Sequence, residues 1–157
     1  MQKDTNRAAG AIDAGEALRD FSEQAHRVLA SRLGKQGTSV ARVKLLLFIG
    51  HRGAVRSIDL VQGLGYAPRT VTEGIDALEQ EGLVLRTQDK VDRRAKRIAL
   101  TEAGAAALEV ISPLLCDFAE QMFGVLDVSE RRLLAGFLQR MQGRLVEMEA
   151  ADGDLRA

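Results

Sequence analysis

The chain has 157 residues, with 22 basic and 22 acidic side chains that cancel to a formal net charge of zero. Hydrophobic residues make up 46% of it, enough for the core of one domain, and with no Trp that core must be mostly Leu, Val, Ile, Ala and Met. The lone cysteine, Cys116, excludes an internal disulfide and a cysteine-rich zinc site. No signal-peptide run opens the chain, and no stretch reaches the roughly 18 apolar residues of a membrane span, so the expected location is the cytoplasm.

Residues 1–12 are polar and rich in small side chains and are expected to fray, as are residues 151–157. From Asp13 to Leu33, Ala17, Leu18, Phe21, Ala25, Val28 and Leu29 trace a helical stripe that Gly34 stops. Ser39 is a candidate N-cap for a second helix through Val40, Val43, Leu46, Leu47 and Ile49, ending near Gly50 and Gly53. Ser57 is a candidate cap for a third helix holding Ile58, Leu60, Val61 and Leu64, and Gly65-Tyr66 supplies the turn of a helix-turn-helix. Pro68 suits the first turn of a fourth helix, in which Val71, Ile75 and Leu78 share one face and Gly82 marks the end. Strands are expected near residues 83–88 and 96–100. Thr101 then caps a long helix to about Leu126, with Pro113 expected to kink it. Ser129 and Arg132 open a last helix with Leu133, Leu134, Phe137, Leu138, Met141, Leu145 and Met148 along a broad face.

Two short strands joined by a charged loop behind a helix with one polar face describe a winged helix-turn-helix in a mainly α protein. Zero net charge conceals strong polarity along the chain. Residues 86–97 carry six basic and two acidic side chains, a net +4, whereas residues 98–130 carry six acids and no Lys or Arg. Phosphate binding needs a local basic surface rather than a basic protein. Most charge runs are only solvated turns, but this one lies beside an exposed polar helix face.

TVTEGIDALEQEGLVLR followed by DKVDRRAKRIALTEAG resembles the signature of the MarR family of bacterial transcriptional regulators. The family hallmark, an Asp-x-Arg wing followed by a Leu-Thr-x-x-Gly junction, corresponds to Asp92, Arg94, Leu100, Thr101 and Gly104. The resemblance implies one domain over residues 13–150, with a DNA-binding core at 34–104 and dimerisation helices at 13–33 and 105–150. It further implies a homodimeric repressor that binds double-stranded DNA at a pseudo-palindromic operator and is released by a small molecule. The apolar faces of the first and last helices point the same way, because uncovered apolar faces mark interaction surfaces and two-fold pairing is the usual way to cover them.

Arg69 and Thr70 at the start of the fourth helix, and Thr72, Glu73 and Asp76 along its outer face, are candidates for base edges or phosphates in a major groove. Related proteins often place Arg where Glu73 stands. The resemblance assigns Arg94 to a minor groove, with Asp92 holding its guanidinium. Arg93, Lys96 and Arg97 are candidate phosphate contacts or solvated strand ends, and Arg56 and Ser57 could meet the backbone, since helix N-termini favour phosphate.

For the effector, the resemblance implies a small, often phenolic or carboxylic, ligand between the dimerisation helices and the core. His26, Arg27 and Arg32, with His51 and Arg52, could hold an anion there, although a histidine at a helix C-terminus is favourable without any ligand. Redox sensing through Cys116 is an alternative, weakened by its apolar neighbours Leu114, Leu115 and Phe118, which predict a buried, inert thiol. Another is a winged helix used only for protein contacts, motivated by acidic Glu73 and Asp76. No phosphate loop, metal-ligand cluster or nucleophile turn points to an enzyme or a cofactor.

Overall fold

A computed structural model of the chain describes residues 2–89 and 95–154, and side chains over 10–89 and 95–152. Among the described residues there are six helices and one antiparallel hairpin, in the order α1 (Gln2–Lys35), α2 (Val40–Arg52), α3 (Ser57–Leu64), α4 (Pro68–Gln80), β1 (Val84–Gln88), β2 (Lys96–Leu100), α5 (Glu102–Phe123) and α6 (Val128–Asp154). Internal contacts divide the chain into two units, Met1–Ser112 and Pro113–Ala157. The first unit holds the winged helix.

Local chemistry sets most boundaries. Ser39 Oγ accepts the Arg42 N–H at 3.3 Å and caps α2. Pro68 sits at the first position of α4, where its missing N–H costs nothing. At the other end of α4 the Leu83 N–H donates to the Leu78 carbonyl and the Gly82 N–H to the Glu79 carbonyl, both at 2.9 Å. This paired closure needs a left-handed residue, and Gly82 supplies it at φ +73°.

The core lies between these elements. Leu45, Leu46 and Ile49 of α2 meet Leu60 of α3, then Val71, Ile75 and Leu78 of α4, with Val55, Val84 and Ile98 from the wing side. The apolar face of α4 is fully buried, and each such side chain stabilises the fold by about 1.5–3 kcal/mol. In the hairpin Val84 pairs with Leu100 and Gln88 with Lys96. Val55 adds one bridge to Ile98 on the far side of β2, donating to its carbonyl at 2.9 Å and accepting its N–H at 2.7 Å.

Several sequence-based boundaries shift. The first helix begins at Gln2 rather than Asp13. Arg56, not Ser57, is the N-cap of α3, and the Asp59 carboxylate reaches back to its N–H at 2.7 Å. The cap of α6 is Asp127, whose Oδ1 accepts the Glu130 N–H at 2.9 Å while Glu130 Oε2 accepts the Asp127 N–H at 2.8 Å. That reciprocal pair is a capping box built on Asp rather than Ser or Thr. The α5 helix continues through Pro113 and stops at Phe123.

The Leu-Thr-x-x-Gly junction has a direct physical cause. Thr101 donates its N–H to the Leu83 carbonyl at 3.0 Å and its hydroxyl to the Gly82 carbonyl at 2.6 Å, and the same Oγ1 accepts the Gly104 N–H at 3.0 Å. One side chain thus caps α5 and ties it to the end of α4. A Cβ on residue 104 would stand 2.0 Å from the Leu83 oxygen, so only glycine allows this approach. Gly104→Ala is therefore expected to destabilise the fold by about 1–3 kcal/mol through overpacking, despite the helix propensity of alanine. The shift in urea unfolding midpoint measures it.

The first and last turns of the core are also tied electrostatically, by a two-pronged Arg42–Glu81 ion pair from α2 to the end of α4. The hydrogen bonds from Arg42 hold the Glu81 carboxyl below the usual glutamate range. A lowered folded value means a contribution to stability that is present above the unfolded pKa of about 4.3 and is lost as pH falls through the folded value. Between pH 5 and pH 3 (roughly, from these pKa values) the wild-type unfolding midpoint should fall more than that of Glu81→Gln.

Candidate nucleic-acid interface

With Val71, Ile75 and Leu78 buried, the opposite face of α4 is presented outward, carrying Arg69, Thr72 and Glu73 with Thr70 beside them at its first turn. Arg69 Nε donates to Glu73 Oε1 at 2.7 Å, a pairing one helical turn apart with both side chains largely exposed. Exposed pairs of this kind contribute only about 0.3–0.5 kcal/mol, so a phosphate or base edge could replace the carboxylate at little cost. Thr72 donates its hydroxyl to the Pro68 carbonyl at 3.0 Å, which leaves the hydroxyl oxygen able to accept.

Asp76 occupies a different environment from the one the helix face predicts. Its Oδ1 accepts from Arg86 of β1 at 2.5 Å, and Arg86 also pairs with Glu79. The Arg86 side chain is only 19% exposed, and its backbone N–H donates to Glu79 Oε1 at 3.2 Å. Burial disfavours the Arg86 charge, but the two carboxylates more than compensate and its pKa is raised. Asp76 and Glu79 therefore fasten β1 to α4, and Asp76 is occupied within the fold.

The wing strands bring Lys96 to an exposed position opposite Gln88. Asp92, Arg93 and Arg94 lie outside the described residues. Arg56 stands at the start of α3 with Ser57 exposed next to it. Arg56 Nη2 reaches Asp89 Oδ2 at 3.0 Å, and Arg97 Nε reaches the same oxygen at 2.9 Å. Asp89 is almost completely buried, at 3% exposure. In sequence Asp89 is one of the two acids of the basic 86–97 segment, and nothing in its spacing signals burial, because Arg56 lies 33 residues away and Arg97 reaches it only through the hairpin.

The candidate effector residues do not converge on one cavity. His26 and Arg27 line a shallow cavity of about 340 Å³ with Ser22 and Glu23 along α1 alone. His51 and Arg52 end α2, and the Arg52 guanidinium stacks 4.8 Å from the centroid of the Phe48 ring. Arg32 is half-buried and has partners within the fold. A separate apolar cavity of about 360 Å³ lies in the second unit, between Phe123 of α5 and Arg131, Leu134 and Leu138 of α6. Cys116 is exposed in the single chain, which corrects the expectation of a buried thiol: Leu114, Leu115 and Phe118 lie near it in sequence, yet a helix turns them away from the sulfur's direction. No group of three or more His, Cys, Asp or Glu among the described residues could hold a metal. No helix among them is long and apolar enough to cross a membrane.

A helix-turn-helix whose second helix is outward-facing and flanked by a two-stranded wing defines a winged helix-turn-helix, the architecture of many DNA-binding proteins. The MarR family model matches residues 39–96, from the cap of α2 to the start of β2. The uncharacterized HTH-type transcriptional regulator YdgJ of Bacillus subtilis (strain 168) is 29% identical over 114 residues, covering 73% of this chain and 70% of that protein. Among solved structures, Bordetella bronchiseptica BpsR, described in work on regulation of its DNA binding by 6-hydroxynicotinic acid, superposes with a TM-score of 0.74 at 24% identity, over 83% of this chain and 98% of that one. A mutant MarR from E. coli in complex with operator DNA also gives a TM-score of 0.74, at 23% identity over 83% and 94% of the two chains. Over its winged-helix segment the chain is thus similar to MarR-family transcriptional regulators.

The Arg69–Glu73 pair makes the recognition face testable. Glu73→Gln should raise affinity for random DNA and steepen its salt dependence, because it frees a cation without adding one elsewhere. Fluorescence anisotropy with a labelled random duplex, read at several salt concentrations, measures both.

Proposed function

We propose that this protein is a cytoplasmic homodimeric repressor that binds a pseudo-palindromic operator through α4 and the wing and is released by a small aromatic or anionic effector. The observation that carries the DNA-binding part is the outward polar face of α4 beside the basic wing, with its apolar face committed to the core. In this reading Arg69, Thr70, Thr72 and Glu73 meet the major groove. Arg56, Ser57, Arg93 and Lys96 contact phosphate, and Arg94, oriented by Asp92, enters the minor groove. Asp76 acts indirectly, by fixing β1 through Arg86.

Dimerisation is supported by apolar side chains left uncovered on single helices. Leu18, Phe21 and Val28 of α1 and Leu133, Phe137, Met141 and Leu145 of α6 are all more than two-fifths exposed. Stripes of this kind are rare on a monomer and fit pairing with a second copy. The domain division that follows gives residues 34–104 to DNA and the flanking helices to the partner copy. Release by a ligand rests on the family and on the relative whose DNA binding is regulated by 6-hydroxynicotinic acid.

Sedimentation and DNA binding test the two halves separately. The chain should sediment as a dimer at micromolar concentration and bind DNA from its own upstream region with affinity that falls steeply as salt rises. Arg94→Ala should weaken operator binding and lower the slope of log affinity against log salt by about one per half-site. A monomer counts against the dimer. Wild-type affinity and slope in Arg94→Ala remove the wing from the interface, and no binding to any fragment favours a winged helix used only for protein contacts.

A further inference from the structure

We infer that Asp89 is a positioning residue for DNA binding: its buried carboxylate holds Arg56 and Arg97 side by side as a two-guanidinium clamp for one backbone phosphate at the base of the wing. The inference rests on the DNA-binding reading above. It concerns a cluster outside both the recognition helix and the Asp92-x-Arg94 tip.

The geometry begins with the backbone. Val55 bridges Ile98 in antiparallel register, and one further step places Arg56 opposite Arg97. Like charges directly across from each other are destabilising. The Asp89 carboxylate offsets that repulsion, accepting on Oδ2 from Arg56 Nε at 3.3 Å, Arg56 Nη2 at 3.0 Å and Arg97 Nε at 2.9 Å. Asp89 is itself fixed, because its N–H donates to the Ala95 carbonyl at 3.0 Å across the hairpin. Arg97 Nη1 is anchored by the Ala54 carbonyl at 2.8 Å, just before α3. One carboxylate thus joins β1, β2 and the α3 cap.

Two cations against one anion leave the cluster with an excess positive charge, and its exposure is one-sided. The Asp89 side chain is 2% exposed, while those of Arg56 and Arg97 are 39% and 46% exposed. Arg56 Nη1 and Arg97 Nη2 carry donors that have no partner among the described residues. The Asp59 carboxylate, the acid of the first turn of α3, is occupied by the Arg56 N–H and does not neutralise the guanidiniums directly. A buried ion cluster is a poor way to gain stability compared with apolar packing. Two planar guanidiniums held rigidly with outward donors are, by contrast, well suited to a tetrahedral anion, since the cost of ordering them is met before binding.

The test separates positioning from simple charge. Asp89→Asn removes a negative charge from the interface, so a purely electrostatic role predicts tighter DNA binding. Positioning predicts weaker binding and a shallower salt slope despite the added net charge. Binding of the upstream DNA and of a random duplex is measured by anisotropy over about 50–200 mM KCl for wild type, Asp89→Asn, Arg56→Gln, Arg97→Gln and the Arg56→Gln/Arg97→Gln pair with and without Asp89→Asn. Each arginine variant should lose about tenfold in affinity on both duplexes, with a slope lower by about one per half-site. In the double arginine background Asp89→Asn should have no further effect on DNA, since nothing remains for it to position. Circular dichroism and urea unfolding accompany each variant. If Asp89→Asn does not fold, the two arginine variants, whose side chains are 39% and 46% exposed, decide whether the clamp contacts DNA. Wild-type affinity and slope in both of them, or tighter binding by folded Asp89→Asn, overturns the clamp while leaving the DNA-binding reading intact. Failure of the wild-type chain to bind any DNA overturns both.

Discussion

The peptide carbonyl of Leu83 is where the recognition helix, the wing and α5 meet. It accepts the Thr101 N–H at 3.0 Å, and Gly104 presses against it so closely that no side chain fits between. Immediately before it, Gly82 turns the chain out of α4 in a left-handed conformation. Immediately after it, Val84 begins the strand that pairs with Leu100. The direction of α4, the start of the hairpin and the take-off of α5 are therefore set by one short set of backbone hydrogen bonds. Loosening it would move the outward face of α4 relative to the wing.

Around this junction some charged side chains hold the fold, others are left for a partner, and the half-exposed Arg56 and Arg97 around Asp89 are proposed to do both. Arg42–Glu81 ties α2 to the end of α4, Arg86 ties β1 to Asp76 and Glu79, and Asp89 ties the α3 cap to β2. The helices α2, α3 and α4 and the hairpin are thus cross-braced by ion pairs rather than by additional apolar packing. Arg69–Glu73 braces nothing, since both residues lie on the same exposed helix face. An isolated surface pair of that kind contributes little to stability and is readily exchanged for another anion. The difference between a structural and an available arginine here is a difference in burial, not in sequence context.

The second unit follows a different rule. Its α6 helix opens with a tight capping box at Asp127 and Glu130, and Ser129 and the Glu130 N–H hold the Asp127 carboxyl below its usual range. Beyond that well-formed start, Leu133, Phe137, Met141 and Leu145 remain exposed on the single chain. A helix so well defined locally and so poorly covered laterally is built to be completed by something else, and a second copy of the chain is the occupant the proposed dimer requires.

Patterns that depend on neighbours in the chain were legible from sequence alone. The α4 stripe of Val71, Ile75 and Leu78, the Pro68 start, the Gly82 stop, the Ser39 cap and the Thr101–Gly104 junction all act over at most a few residues, where helical period and turn chemistry leave few options. The same locality explains the family resemblance, which lies in that segment. Other features needed the folded chain. Asp76 looked like an outward-facing acid until β1 brought Arg86 to it, and Asp89 looked like a loop charge until Val55 and Ile98 paired and set two arginines around it. Arg56 displaced Ser57 as the α3 cap because the Asp59 carboxylate satisfied the first N–H from within the helix. Cys116 has apolar neighbours in sequence but an exposed sulfur, because sequence neighbours on a helix point in different directions. Sequence determines what a segment can form by itself, but which charges are buried, paired or left free depends on contacts between different elements, whether 8 residues apart as in Asp89–Arg97 or 33 as in Asp89–Arg56, and only tertiary structure decides those.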